Sequence, residues 1–584
     1  THHQDSIAIG NYAGRYASGS YNLFMGSSAG YGGTTSAPFS SGQYNVAIGY
    51  QAFDAFTTGT KNNIIGYRAG TSVTTGFNNQ YFGYQAGYYN TTGRSNIAIG
   101  YNSQFGASGQ TTGGYNVSLG ESSLAALTTG NHNFVVGSNA GLSLTSGEHN
   151  IIMGSAAGDA LTTTSNSVMI GRDAGTAINS ADANGTVLIG MSAGTALTSG
   201  IGNTAIGTSA LAAEDTGDFN TAIGYQALAT QNRDGTVNNT AVGYQAGFWN
   251  VTGTGNTYLG AGAGTGASGQ SNNNNTAVGY SSLISITTGN QNTVMGQSAG
   301  RNITTGTSNV IIGRLAGYAS TDVDKTVIIG EQAAYTGNMT SAADGTVSIG
   351  NSAGKNVTSA AEGVYVGFGA GLSVTTGNYN TAIGYYAGAQ AQDDTNNTFV
   401  GRYAGYAVES DENTFIGADA GYGVQDGTTG SQNTAIGYRT IYEYTTGNKN
   451  VAVGDAALQN LKTGNSNVAI GFRASVSNAV GSNQVVIGNE AGRYATGSSN
   501  TFVGGNAGKG GTTSAPFSSG QYNVALGFEA LTAFTTGNSN VAVGYEAGED
   551  ITTGYYNTLV GYEAGENLTT GVSNVFMGYE AGSG

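Results

Sequence analysis

Apolar residues in this chain come in threes. Runs such as Val46-Ala47-Ile48, Thr221-Ala222-Ile223 and Val541-Ala542-Val543 each end on a glycine, and the motif returns every 17 residues or so. Between the runs lie mostly Gly, Ala, Thr and Asn. Short β-branched runs bounded by glycine predict brief strands closed by turns. Taking the glycine of the "AIG" element as an anchor, 33 anchors run from Gly10 and Gly26 through Gly49, Gly66, Gly100, Gly224 and Gly384 to Gly578. Anchor spacings other than 17, from 16 to 23, read as insertions or deletions at one corner of a coil. A helical alternative fails, because each interior glycine costs about 1 kcal/mol in a helix and 100 of the 584 residues are glycine.

A fixed period of this length marks a solenoid. The expected fold is all-β, a parallel β-solenoid (β-roll) of about 33 coils with a 17-residue repeat. A second short strand is expected at the "xTTG" element, as in Val73-Thr74-Thr75, so that two sheets face each other. At about 4.8 Å per coil the stack would be a rod about 160 Å long. No linker interrupts the pattern, so 1–584 reads as a single continuous repeat domain.

Each repeat position then receives a role. The residue before the anchor is apolar throughout, as at Ile48, Ile65, Ile99, Ile206, Ile223, Ile383 and Ile470, and shares a strand face with the Val or Thr two residues earlier. That face is expected to be the coil's core. The position two before the anchor points the other way, yet it holds Ala47, Ala98, Ala222, Phe399 and Ala542. One thin coil cannot cover two apolar faces. This strip is therefore expected to meet sister chains about an axis, giving a homo-oligomer and most economically a homotrimer. Four residues before the anchor is Asn in 26 of 33 coils, including Asn45, Asn62, Asn96, Asn220 and Asn380, which predicts an amide ladder along the stack. Tyr often follows the anchor (Tyr50, Tyr67, Tyr84), either to pack on the next coil or to stack sugars. Thr pairs such as Thr57-Thr58 and Thr74-Thr75 suggest hydroxyl ladders or, less economically, an ice-binding face.

Composition narrows the function classes. Only 9% of residues are charged and the net charge is −16, which argues against nucleic acid, since phosphate neutralisation supplies most of that affinity. No cysteine is present, so disulfides and thiolate chemistry are excluded. No run of 18 or more apolar residues suggests insertion in a membrane. There is no zinc-binding H-E-x-x-H, and Asp is too scattered for a repeating calcium frame. His132 and His149 sit one coil apart, where a shared metal ion is conceivable but lacks further ligands; His2 and His3 complete the set. No cofactor, metal or catalytic role is expected.

The segment Gly32 to Ala47 recurs unchanged at Gly510 to Ala525, so residues 479–584 repeat the pattern of 1–106. Duplication within the chain and growth of a long polymer both explain this. The first coil is already running at Ser6–Gly10 and the last residues follow an anchor closely, so end-to-end stacking or continuation is expected.

The runs "NVAIGY" at 45–50, "NTAIGYQA" at 220–227 and "TTGNxN" at 128–133 resemble the repeats of trimeric autotransporter adhesin heads and of phage tail-fibre proteins. The resemblance covers the whole chain at the level of the repeat, although adhesin heads usually carry a shorter unit. It implies a trimeric β-roll, an extracellular, cell-surface or virion location, and a structural or attachment role. The expected function is a structural subunit of a fibre or filament. The alternative is a head that binds cell-surface glycans or a receptor.

Overall fold

The computed structural model describes residues 5–108, 111–424 and 427–584. The chain is all-β and winds as a parallel β-solenoid of about 33 coils on a repeat of about 17 residues. Its contacts divide it into two compact units, Thr1–Gln291 and Asn292–Gly584. Among the described residues the first unit carries sixteen three-residue strands of the main sheet, from Ile7–Ile9 to Thr276–Val278, and the second seventeen, from Thr293–Met295 to Val575–Met577. Within each unit, successive strands pair in parallel with equivalent residues in register, as Val46↔Asn63, Ala47↔Ile64 and Ile48↔Ile65.

Among the described residues the second sheet expected at "xTTG" is not built. There the chain bends, and only isolated bridges such as Asn90↔Thr111 or the two-residue pair Gly217–Asp218 with Gly235–Thr236 form. The reason lies in the bonding. The amide N–H groups of Thr57 and Gly59 and the Thr57 hydroxyl all donate to one carbonyl, that of Thr74, at 2.8, 3.1 and 3.2 Å. Three donors converging on one acceptor hold the corner but cannot make the evenly spaced bonds of a parallel ladder.

Which strand face is the core is the reverse of the expectation. Ala47, Ala98, Ala222 and Ala542 are 0% exposed and Phe399 1%, all inside their own coil. The strip assigned to sister chains is therefore the core. Ile65, Ile383 and Ile470 are 38% exposed and Ile99 42%, while Ile48, Ile206 and Ile223 are half-buried. The residues assigned to the core lie on the outer face of the sheet. The interior is instead filled from across the coil. Four residues after the anchor, the backbone takes a left-handed conformation that aims any side chain inward. Where the strand offers Ala47, this position holds Phe53 (φ 57°); where it offers Ala222 or Ala452, it holds Leu228 or Leu458 (both φ 48°). Where the strand offers Phe24, Tyr81 or Phe399, it holds Gly30, Gly87 or Gly405, whose missing side chains make room for the rings. Left-handed backbone costs a non-glycine residue about 1–2 kcal/mol, and burying a Leu or Phe offsets this with about 1.5–3 kcal/mol.

The anchor glycines sit near φ +135°, a conformation closed to other residues. Coil spacing adds a second constraint: a Cβ on Gly100 would lie 2.5 Å from the carbonyl oxygen of Gly120 in the next coil.

The Asn column is buried and bonds three ways. Asn133 donates its backbone N–H (2.9 Å) and Nδ2 (3.0 Å) to Oδ1 of Asn116, and Nδ2 also to the Gly147 carbonyl at 2.9 Å, joining the strand to the far end of its own coil. Oδ1 of Asn133 then accepts the same pair from Asn150. Asn45 and Asn62 repeat the full arrangement; Asn96 and Asn380 make the bond to their own coil and take part in the ladder. Asn220 departs: its N–H reaches Asn203, but its Nδ2 is left unpartnered.

Two predictions follow from these constraints. Gly224→Ala, which would collide with the Gly243 carbonyl, should destabilise its coil by about 3 kcal/mol; Gly185→Ala, at φ +77° in open space, should cost about 1 kcal/mol. Local hydrogen exchange in the strand Thr221–Ile223 against Val187–Ile189 reads the difference. Asn133→Ala removes donors and acceptors from buried partners and should lower protection of Phe134–Val136 and Ile151–Met153 by about 3 kcal/mol.

Candidate functional site

Three outward features recur coil after coil. The first is the outer sheet face, where apolar residues at the position before the anchor alternate through the strand with Val or Thr. The second lies past the anchor bend, where aromatic rings stack along the coil axis. Tyr67 lies 5.0 Å from Tyr84 at 7°, and Tyr84 lies 5.0 Å from Tyr101 at 9°; Tyr545 and Tyr562 in the second unit repeat the geometry at 5.0 Å and 8°. Each ring thereby covers its neighbours' faces and shows solvent only an edge. A continuous ladder of this kind is packing, and offers a sugar no free ring face except where the ladder breaks.

The third feature is the Thr corner. Hydroxyls of Thr74, Thr128 and Thr145 donate to the carbonyl one coil on, at 3.1, 3.0 and 2.9 Å. The first hydroxyl of each pair is thus spent on the protein, while the second, as at Thr75 and Thr129, faces solvent.

His132 and His149 are exposed and stack on each other at 4.8 Å, nearly parallel, with Tyr115 continuing the column. Ring lone pairs lie in the ring planes, so stacked imidazoles aim them side by side and do not converge on one ion. His2 and His3 lie outside the described residues. Four coils spell G-x-S-x-G, for example Gly26–Gly30 and Gly296–Gly300. Here the motif is the repeat's own turn: both of its glycines are at positive φ, and the described histidines lie in other coils.

Chemistry the sequence pattern did not reveal appears where an acidic residue replaces a repeat residue. Glu214 takes an inward position usually held by Leu or Val and is 0% exposed. Its Oε1 accepts from the N–H of Gly217 (2.7 Å) and Asp215 (3.1 Å), and burial raises its pKa despite these donors. Asp394 replaces the glycine of "TTG". Its Oδ2 is buried without a partner, and burial, with Asp393, Asp411 and Glu409 close by, raises its pKa to about 7. Near the end of the second unit, carboxylate oxygens of Glu546, Glu549 and Glu566 come within 4.8 Å of one another. Burial and then this crowding raise the pKa of Glu549 and Glu566. The only cue in the sequence was the substitution itself, an acid in a column of small or apolar residues.

Comparison with protein families and with curated proteins returns no match for the chain. Among the described residues no helix is long and apolar enough to cross a membrane.

The buried carboxylate gives a pH prediction. Because the folded-state pKa of Asp394 lies above the ordinary value of 3.8, its contribution is fully present below pH 4 or so and is lost as pH rises through about 7. Protection of Thr381–Ile383 and Thr398–Val400 should fall between about pH 4 and pH 7, and Asp394→Gly, which restores the column's own residue, should flatten that dependence.

Proposed function

We propose that this chain is a structural subunit of an extracellular or virion fibre, packing through its outer sheet face against sister chains as a homotrimer. The observation that carries the reading is that face. Within each unit it stays apolar through successive coils, with Ile65, Ile99, Ile383 and Ile470 38–42% exposed in the single chain. Contiguous apolar surface beyond a few hundred Å² marks an interaction site. A sheet face repeated by every coil favours a partner with the same repeat, because equivalent rows then meet along the whole contact. Sister chains thus meet on the outer strand face and not on the Ala47 strip, which the coil's own interior takes up.

The rest of the chain suits a structural part. Its bonds are spent on coil-to-coil stacking, its corners are held by side chains that close on the backbone, and its few charges leave little to titrate. In this reading it has no catalytic step.

The test is the mass of the native particle by light scattering, with electron microscopy of the same sample. Three chains per particle are expected at micromolar concentration. Ile206 and Ile223 are neighbours in register on the outer face. Ile206→Asp with Ile223→Asp, and the same change at Ile383 and Ile470, should shift the population toward single chains with an unchanged far-ultraviolet spectrum. A wild-type chain that stays single would overturn the proposal.

A further inference from the structure

The internal duplication is a comparison the chain makes with itself. Residues 11–50 and 489–528 align without a gap over 40 positions and differ at ten. Five of the ten fall on one cleft in the second unit: Tyr12 is replaced by Glu490, Ser27 by Gly505, Ser28 by Asn506, Tyr31 by Lys509 and Tyr50 by Phe528. Asn489 and Phe472 complete its walls, and its volume is about 340 Å³. In the first copy the corresponding space is filled with rings, Tyr31 packing edge-on against Tyr16 at 5.0 Å and Tyr12 at 6.4 Å. In the second copy the rings at positions 490 and 509 are gone and the space is open.

What replaces them is a cluster of cations in a chain of net charge −16. Glu490 lies 2.6 Å from Arg493, 3.0 Å from Lys509 and 3.9 Å from Arg473. Lys509 lines the cleft and the two arginines lie behind Glu490; counted against Glu490 and Glu529, the three cations leave a surplus of one positive charge. The next acid along this column, Glu529, is held by Nδ2 of Asn506 at 3.0 Å.

The aromatic ladder also breaks here. Phe528 stacks one face on Tyr545 at 5.6 Å, but on its other side the ladder positions are Gly505 and Asn489, with Phe472 beyond them. A Cβ on Gly505 would lie 3.2 Å from the Phe528 ring, so glycine leaves that side clear. The break supplies what the continuous ladders lack, an aromatic face open to a ligand, with two amides and a surplus of cations beside it.

We propose that this cleft binds an acidic saccharide, with the C–H face of a pyranose on Phe528 and its carboxylate toward Lys509 and Arg493. A pyranose presents polarised C–H bonds on one face, which suit the negative face of an aromatic ring. Its carboxylate suits charge-assisted bonds from lysine and arginine, and Asn489 and Asn506 offer amides to its hydroxyls. The volume holds one or two sugar rings. The cleft lies beyond the anchor bend from the outer sheet face, and its argument does not depend on the structural role proposed above.

The experiment is ligand-observed NMR on the full-length assembled protein, titrating glucuronate, glucose and inorganic phosphate up to about 20 mM, a range that reports millimolar dissociation constants. Saturable glucuronate binding is expected, with glucose at least about tenfold weaker, and Phe528→Ala and Lys509→Ala should each weaken glucuronate about tenfold. Glu490→Tyr with Lys509→Tyr restores residues the first copy already accommodates, and should abolish binding with an unchanged far-ultraviolet spectrum. Absence of saturable binding, equal binding of glucose, or unaltered affinity in the single variants would overturn the proposal. So would phosphate binding as tightly as glucuronate with no loss in Phe528→Ala, which would mark a plain anion site.

Discussion

Everything in this protein is subject to one constraint: each residue lies over its counterpart in the next coil, at the spacing of a parallel backbone hydrogen bond. Like therefore meets like. For groups that attract their own kind this is favourable. Asn amides donate and accept in turn, so Asn116, Asn133 and Asn150 form a ladder in which each Oδ1 receives two bonds. Tyr rings offset-stack at 5.0 Å. For groups that repel their own kind the same register is costly: Glu549 and Glu566 hold their protons more tightly, through burial first and then through the neighbouring carboxylates. A low charge content follows, since a charged column pairs every ion with its own sign.

The spacing also decides where side chains are forbidden. At the anchors, successive backbones approach so closely that the next carbonyl occupies the place of a Cβ. With no side chain possible there, the coil is thin, and its interior is filled by the strand's middle residue together with residues three, four and seven after the anchor, such as Ala52, Phe53 and Phe56 opposite Ala47. The strand's middle residue and the residue four after the anchor face each other there. Ala47 faces Phe53 and Ala222 faces Leu228, while Phe24 faces Gly30 and Phe399 faces Gly405. In these coils one position is bulky where the other is small, as close packing favours; coils such as those of Ala241 with Gly247 and Ala542 with Gly548 are small at both.

Function resides in departures from the repeat. A perfect coil offers the same surface again and again: an apolar sheet face, an aromatic edge and a Thr corner whose first hydroxyl is bonded to the protein. That surface suits association with an identical neighbour. Selectivity for anything else needs a place where the register of like on like is broken. The cleft at Glu490 is such a place, because glycine and asparagine interrupt the ring ladder and the charge column switches to cations. The replacement of tyrosines by Glu490 and Lys509 in an otherwise repeated block changes the site while leaving the corner geometry intact.

The period, the parallel strands, the glycine turns and the Asn column were legible in the sequence, because each rests on a local rule: glycine for a forbidden φ, β-branched residues for a strand, amides for a ladder. The count of coils followed from the anchors alone. The choice of inner and outer face did not. Uniform apolarity at Ile48, Ile65 and Ile99 resembles a core, yet it belongs to an outer face that every coil presents in the same way. The varied positions Ala47, Tyr81 and Phe399 are the interior, where the variation is matched by partners six or so residues away. That pairing is written in the sequence, but reading it requires knowing that the position four after the anchor turns inward, and only the left-handed backbone of the folded coil shows this. The single sheet, the bonded Thr corner, the buried Glu214 and Asp394 and the open cleft likewise depend on distances between coils. One coil's sequence carries no information about a distance to the next; the stack sets it.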